Sequence, residues 1–269
     1  MSPSDGRIQT RQAKPVNPDN PYCLPRETAF VPPSEKQGES DYHPVTKDFT
    51  YNVNRALAEK LGCRPYGIDF ARISDWEGGN KNKTYVPWKK GSKGNNSGVT
   101  VGSGVDFGQK NLQTLKRMGL SDDLVAKLQN HIGLRQGAAK SYNNRNPLTF
   151  TWEEIEQINR GASLMHAEDA IRHWDRRVQQ SRPLYPNAPL FHEMTSPQQT
   201  LVFSRYYHQG QGWIKKHPEL FNSILENNWD RVRERWDRLI NESARNGNEW
   251  KAGRLRNEYK YFWPDEKRK

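Results

Sequence analysis

Apolar residues begin to recur at helical spacing near Asp48. Phe49, Val53, Ala56, Leu57 and Leu61 fall on one face, and Gly62 ends the run. A second apolar face follows at Ile68, Phe70, Ala71, Ile73 and Trp76, running into Glu77-Gly78-Gly79. Residues 78–98 are rich in Gly, Asn and Lys and read as a loop with a short strand at Thr84–Trp88. Gly98-Val99-Thr100-Val101-Gly102 predicts a strand with close turns. Beyond Gln109 the pattern is helix after helix. Leu112, Leu115 and Met118 stop at Gly119. Ser121 caps Leu124, Val125, Leu128 and Ile132, ending at Gly133. Thr151-Trp152-Glu153-Glu154 is a capping box for a helix through Ile155, Ile158, Leu164, Ile171 and Trp174. Ser196-Pro197 predicts an N-cap and first helical residue before Leu201, Val202, Phe203 and Tyr206. Two or three more helices carry Leu220 to Leu225, Trp229 to Ile240, and Trp250, Leu255 and Tyr259. The fold class expected is mainly α, with a small β-hairpin or ribbon near its front.

The first 45 residues differ from the rest. Eight of the 17 prolines lie within residues 1–50, and proline cannot propagate a helix. The expected organisation is an extended arm at residues 1–45 and one domain at residues 46–269. The chain is polar, with mean hydropathy −1.06. Its 9 Trp, 11 Tyr and 9 Phe argue against wholesale disorder. No apolar run approaches a membrane span, so no membrane insertion is expected. The first residues lack the apolar stretch of a signal peptide. Two cysteines, Cys23 and Cys63, allow at most one disulfide and lack CxxC spacing. Neither a metal site nor a cofactor is expected. The net charge of +11 favours a polyanionic partner without choosing one. The arginines at 231, 233, 235 and 238 alternate with acids, which describes an ion-paired helix face and not a nucleic-acid stripe. No nucleic-acid partner is expected.

Candidate chemistry concentrates in two places. In Ser74-Asp75-Trp76-Glu77-Gly78-Gly79 an acid ends a helix beside a Trp. A carboxyl against an aromatic wall is desolvated, which favours its protonated form and suits a general acid. The segment from Ser97 to Gln109 has glycines at 98, 102, 104 and 108, with Thr100 and Asp106 projecting from the ribbon. It fits neither GxGxxG spacing nor a Walker element. No HExxH and no nucleophile elbow occur. Residues 78–99 carry lysines at 81, 83, 89, 90 and 93 and no acid, a rim that would steer an anionic polymer.

Taken together, Glu77-Gly78, Tyr85-Val86-Pro87, Ser97-Gly98-Val99-Thr100-Val101 and Gly104-Val105-Asp106-Phe107-Gly108-Gln109 resemble the pesticin-type muramidase domain of the phage-lysozyme-like superfamily. Leu134, Gly137-Ala138, Asn146-Pro147-Leu148-Thr149, Phe203 through Gly210, and the Trp229-Asp230 and Arg254–Glu258 helices extend the likeness over roughly residues 65–262. The resemblance implies a lysozyme-like fold and cleavage of the β-1,4 bond between N-acetylmuramic acid and N-acetylglucosamine in peptidoglycan glycan strands. Glu77 takes the general acid's place, Thr100 that of the threonine beside the attacking water, and Asp106 that of the second carboxylate. Asp106, held by glycine-rich backbone amides, should stay ionised. Unlike the phage lysozymes, the chain has no acid between Glu77 and Thr100. Tyr85, Trp88, Gly104, Gln109, Tyr207, His208 and Gln209 are the candidate substrate contacts. The implied protein is a monomer made in the cytoplasm and acting on a target cell's wall, as an antibacterial effector or a phage-type lysin. A toxin of this kind implies a cognate immunity protein. The competing reading on the same fold is an inactive wall- or partner-binding module.

Overall fold

The computed structural model describes residues 44–62, 64–88 and 96–264. The proline-rich arm up to residue 43, both cysteines and Lys89, Lys90 and Lys93 lie outside the described residues. Two helices lead: α1 (Lys47–Lys60), capped by Thr46, and α2 (Phe70–Trp76), capped by Asp69. Three short strands follow, β1 (Lys81–Tyr85), β2 (Thr100–Gly102) and β3 (Val105–Asp106), in one antiparallel sheet of order β1-β2-β3. Then come α3 (Leu112–Arg117), α4 (Asp122–Leu128), α5 (Gln136–Arg145), α6 (Trp152–Ser181), α7 (Ser196–Gln209), α8 (Trp213–Lys216), α9 (Pro218–Leu225), α10 (Trp229–Arg245) and α11 (Glu249–Phe262). None of the described helices is long and apolar enough to cross a membrane.

Helix α6 organises the molecule. Its 30 residues span about 45 Å at 1.5 Å per residue. Its first half, through Ile155, Ile158, Ala162 and Met165, packs with Val101, Val105, Phe107, Leu115, Leu124 and Leu128 into a core beneath the sheet. Its second half, through Ala167, Ala170, Ile171, Trp174 and Val178, joins α1, α2 and α7 to α11 in a larger core. One rod therefore belongs to two cores, and the chain has two lobes with the sheet lobe in front.

The structure departs from the expected elements for identifiable reasons. The first strand runs from 81 to 85, because it pairs Lys81 with Gly102 and Tyr85 with Thr100. Pro87, inside the expected strand, has no N–H to give a ladder. Helix α4 stops at Leu128 and not near Ile132. His131 turns back there, its ring Nε2 2.8 Å from the Asn146 carbonyl. Helix α5 has the sequence QGAAKSYNNR, too polar to show a periodic face. The cap of α7 is Thr195; Ser196 is its first residue and donates through its hydroxyl to the Gly67 carbonyl. Helix α10 buries Val232, Trp236, Leu239 and Ile240. Its arginines pair partly with α9 and the turn after it, Arg231 with Glu226 and Arg235 with Glu219.

Gly161 sits where α6 crosses the turn after α3. A Cβ built there would lie 2.2 Å from the Met118 carbonyl oxygen. Helix propensity alone would make Gly161→Ala stabilising by about 1 kcal/mol. The contact reverses the sign, and the expected result is a loss of about 1–3 kcal/mol, read from denaturant unfolding.

Candidate active site

Helix α2 ends where Gly78 and Gly79 take positive φ of 91° and 83°. Their amides donate to Asp75 O and Ser74 O, at 3.2 and 2.9 Å. This reversal sends the chain into β1 and leaves Glu77, the C-cap residue, at the junction of the lobes.

The turn between β2 and β3 is brought to the same place by three helices. Ser103 Oγ is 2.8 Å from Ser74 Oγ of α2. Tyr207 of α7 donates its hydroxyl to the Ser103 carbonyl at 2.9 Å. Asn159 of α6 accepts from Ser103 N at 3.0 Å and donates to Asn80 Oδ1 at 3.0 Å. Gly102 is needed for this approach, since a Cβ there would lie 2.3 Å from Asn159 Oδ1. The turn sets Gly104 against Glu77: a Cβ on Gly104 would be 3.6 Å from the Glu77 Cβ. Gly104 has φ 81°, and any larger residue would be strained and would crowd the carboxylate.

From that turn β3 carries Asp106 back opposite Thr100. Asp106 Oδ1 accepts from Gly98 N at 3.1 Å and Gly108 N at 2.7 Å. Gly98 and Gly108 face each other so closely that a Cβ on either would lie within 3 Å of the other's backbone. This glycine pair is what lets two amides reach one carboxylate oxygen. Thr100 is buried and donates its hydroxyl to Gly98 O at 3.1 Å, leaving its lone pairs as acceptors. Tyr85 pairs in register with Thr100. Burial, then the charges of Glu77 and Asp106, push its phenol above its ordinary range. Tyr85 thus senses both carboxylates. Tyr207 is likewise pushed up, by burial first and by Glu77 next.

Glu77, Gly104, Tyr85, Thr100, Asp106 and Tyr207 therefore come together. The remaining candidates scatter. Trp88 lies against Gly137 of α5, its ring 3.5 Å from where a Cβ would stand. Gln109 is exposed in the turn after β3. Gln209, at the end of α7, has a buried Nε2 with no hydrogen-bond partner. His208 is pushed down to about 3, by burial and then by Arg254, Arg205, Lys251 and Lys216. It is neutral near pH 7, and its ring centroid lies 5.5 Å from that of Trp250 with the two planes tilted by 43°.

The partner of Glu77 is not the aromatic wall that its neighbour suggests. Trp76 is buried against Tyr261, ring centroids 5.5 Å apart. Glu77, whose side chain is 15% exposed, pairs instead with Arg254 of α11. Burial disfavours charge on that guanidinium, but Glu77 and Glu258 outweigh it and hold its pKa above the ordinary value. Sequence reasoning missed this arginine. Its signal was faint: Arg254 and Glu258 lie beside Leu255 and Tyr259, on the stripe that α11 buries. Trp250 was placed on that stripe and is instead 61% exposed. A cavity of about 360 Å³ opens at the other end of α2, beside Asp69, Tyr66 and Tyr261, and contains none of the candidate residues.

The two amides on Asp106 make a sharp prediction. Asp106→Ala strands both and should cost about 2–4 kcal/mol. Asp106→Asn keeps an acceptor at Oδ1 and should cost about 1 kcal/mol. Paired urea titrations of the two variants measure the difference.

The chain matches the pesticin family, described as a bacterial toxin homologue of phage lysozyme, C-terminal, over residues 67–230. No curated protein matches it. The match takes in Glu77, the whole sheet and α7, and it stops before Arg254 and Trp250. It spans more than half of the chain, and its mainly helical, small-sheet domain has the architecture found here: the chain belongs to the pesticin family of lysozyme-like domains.

Proposed function

We propose that this lysozyme-like domain is a muramidase, cleaving the β-1,4 bond between N-acetylmuramic acid and N-acetylglucosamine by an inverting acid–base mechanism. One observation carries the reading. A glycine-lined turn, pinned by α2, α6 and α7, sets Glu77 beside the ribbon that bears Thr100 and Asp106. Hydrolysis of a glycosidic bond needs one carboxyl to protonate the leaving oxygen and a second group to handle water or the cationic transition state.

Glu77 is the proton donor in this scheme. It is a partly exposed acid at the end of α2, and Gly104 puts no side chain against it. Asp106 has a different environment. Two amides fix its Oδ1 in place, and as the base it takes the proton that the attacking water gives up. The Thr100 hydroxyl gives its proton to Gly98 O and can accept from a water, which it would aim at the anomeric carbon on the face opposite Glu77. That geometry inverts the anomeric centre. Tyr85 and Tyr207 wall the site, and the exposed Trp250 offers a ring face to a sugar farther along the strand. Lys81 and Lys83 of β1 are exposed and suit the stem-peptide carboxylates. The excess of cations has the same use along the polymer. In the cell we assign the protein to attack on another cell's wall, as an effector or phage-type lysin, held in check in its producer by an immunity protein that covers Glu77 and the ribbon.

Purified, full-length protein should clear a suspension of cell walls. Glu77→Gln should lower the initial rate by about 10²–10⁴-fold, and because it leaves the buried Arg254 short of a charged partner it should also cost about 1–3 kcal/mol of stability, so rates are compared where both proteins are folded. Equal clearing by both proteins, or none by either, rejects the catalytic reading and leaves a wall- or partner-binding module. Trp250→Ala should weaken binding of soluble glycan fragments roughly fivefold, about 1 kcal/mol, with unfolding unchanged. Isothermal titration measures that loss.

A further inference from the structure

The chemistry above uses Glu77 and leaves a puzzle behind it. A guanidinium at hydrogen-bond distance favours the carboxylate form of an acid, whereas a general acid must arrive protonated. The deeper layer of the site bears on this conflict. Glu258 of α11 has no exposed surface, and Arg205 of α7 is 1% exposed. Arg205 Nη2 meets both oxygens of Glu258 at 2.5 Å. Ser204 donates its hydroxyl to Glu258 Oε1 at 2.5 Å. The same Oε1 accepts from Arg254 Nε at 3.1 Å, and Ser204 Oγ accepts from Arg254 Nη2 at 3.1 Å. Two of the three nitrogens of Arg254 are thereby fixed, and the third, Nη1, donates to Glu77.

As a mere bolt between α7 and α11 this arrangement is expensive. Apolar residues of similar volume hold helices together as well or better than a buried ion pair. Its distinctive property is its charge count. Glu77 and Glu258 are negative, Arg254 and Arg205 positive, so the four cancel. Without Glu258, Glu77 would face two guanidinium groups in a poorly screened interior with no second acid to offset them. We propose that Glu258 is a positioning residue for Glu77: it clamps the Arg254 fork so that one amino group reaches Glu77, and its charge offsets that of Arg205 behind the pair.

The other groups facing Glu77 come from three elements. Tyr207 and Arg205 of α7, Tyr85 of β1 and Arg254 of α11 all interact with it electrostatically. The tyrosines are uncharged near neutral pH, and His208, beside the arginines, is neutral there as well. Asp106 acts on Tyr85 from the sheet side. None of these replaces the negative charge of Glu258 between the two arginines.

The assignment rests on Glu77 being the proton donor, and two readouts separate the claims. The first is the ¹³C titration of the Glu77 side-chain carboxyl in full-length protein labelled at glutamate, with the signal identified by its loss in Glu77→Gln. Glu258→Gln makes the surroundings more positive, so the Glu77 midpoint should fall by about one pH unit or more. Arg205→Met makes them more negative, so the midpoint should rise by a similar amount. The second readout is wall clearing against pH, whose alkaline limb should move down in Glu258→Gln and up in Arg205→Met. A bolt between helices would lose stability in both variants and move neither midpoint nor limb, and that result overturns the proposal. If one variant cannot be recovered folded, the sign of the shift in the other decides. Wild type that clears no walls removes the muramidase reading, while opposed midpoints would still uphold the electrostatic link. Clearing by wild type with unmoved midpoints removes Glu258 alone.

Discussion

The site exists because one small turn cannot move. Ser103 is held through its hydroxyl by α2, through its amide by α6 and through its carbonyl by α7. Each bond replaces water at a polar group that packing has covered, and an unpaired buried group of this kind is costly. The three bonds also belong to both lobes, since α6 runs through both cores. A two-residue strand such as β3 has little stability of its own. It is precise in position only because its turn is fixed from outside. Glu77 and Asp106, on different lobes, inherit their mutual placement from that restraint.

Much of this was legible in the residues. The capping box at Thr151 and Glu154 announced α6, and the structure has both of its reciprocal bonds. The glycines of the ribbon announced a strand with close turns, and Gly102 and Gly104 take positive φ where the chain reverses between β2 and β3. Amides on the Asp106 carboxylate were expected from the same glycines and are present. Local signals of this kind survive folding because their cause lies within a few residues.

What the residues hid depends on long-range geometry. Arg254 lies 177 positions from Glu77, and an Arg with a Glu four residues later is ordinarily a solvated helix pair. Nothing local says that this pair faces inward. Trp250 shows the opposite error: a large aromatic at helical spacing predicts burial, and this one faces solvent. The strand at Lys81–Tyr85 was displaced for the same reason. Its limits are set by a partner beginning at Thr100, not by its own composition. Helix α5, with hardly an apolar side chain, is held by what surrounds it and has no face to read.

The last helix, α11, supplies the guanidinium on which Glu77 rests and the glutamate behind it. A ribosome makes every other described element first. Until some 250 residues have been joined, the growing polypeptide has Glu77 and Asp106 but not the counter-charges of α11. Any event that unwinds α11 would take the partner of Glu77 away from a distance, with every residue of the ribbon intact.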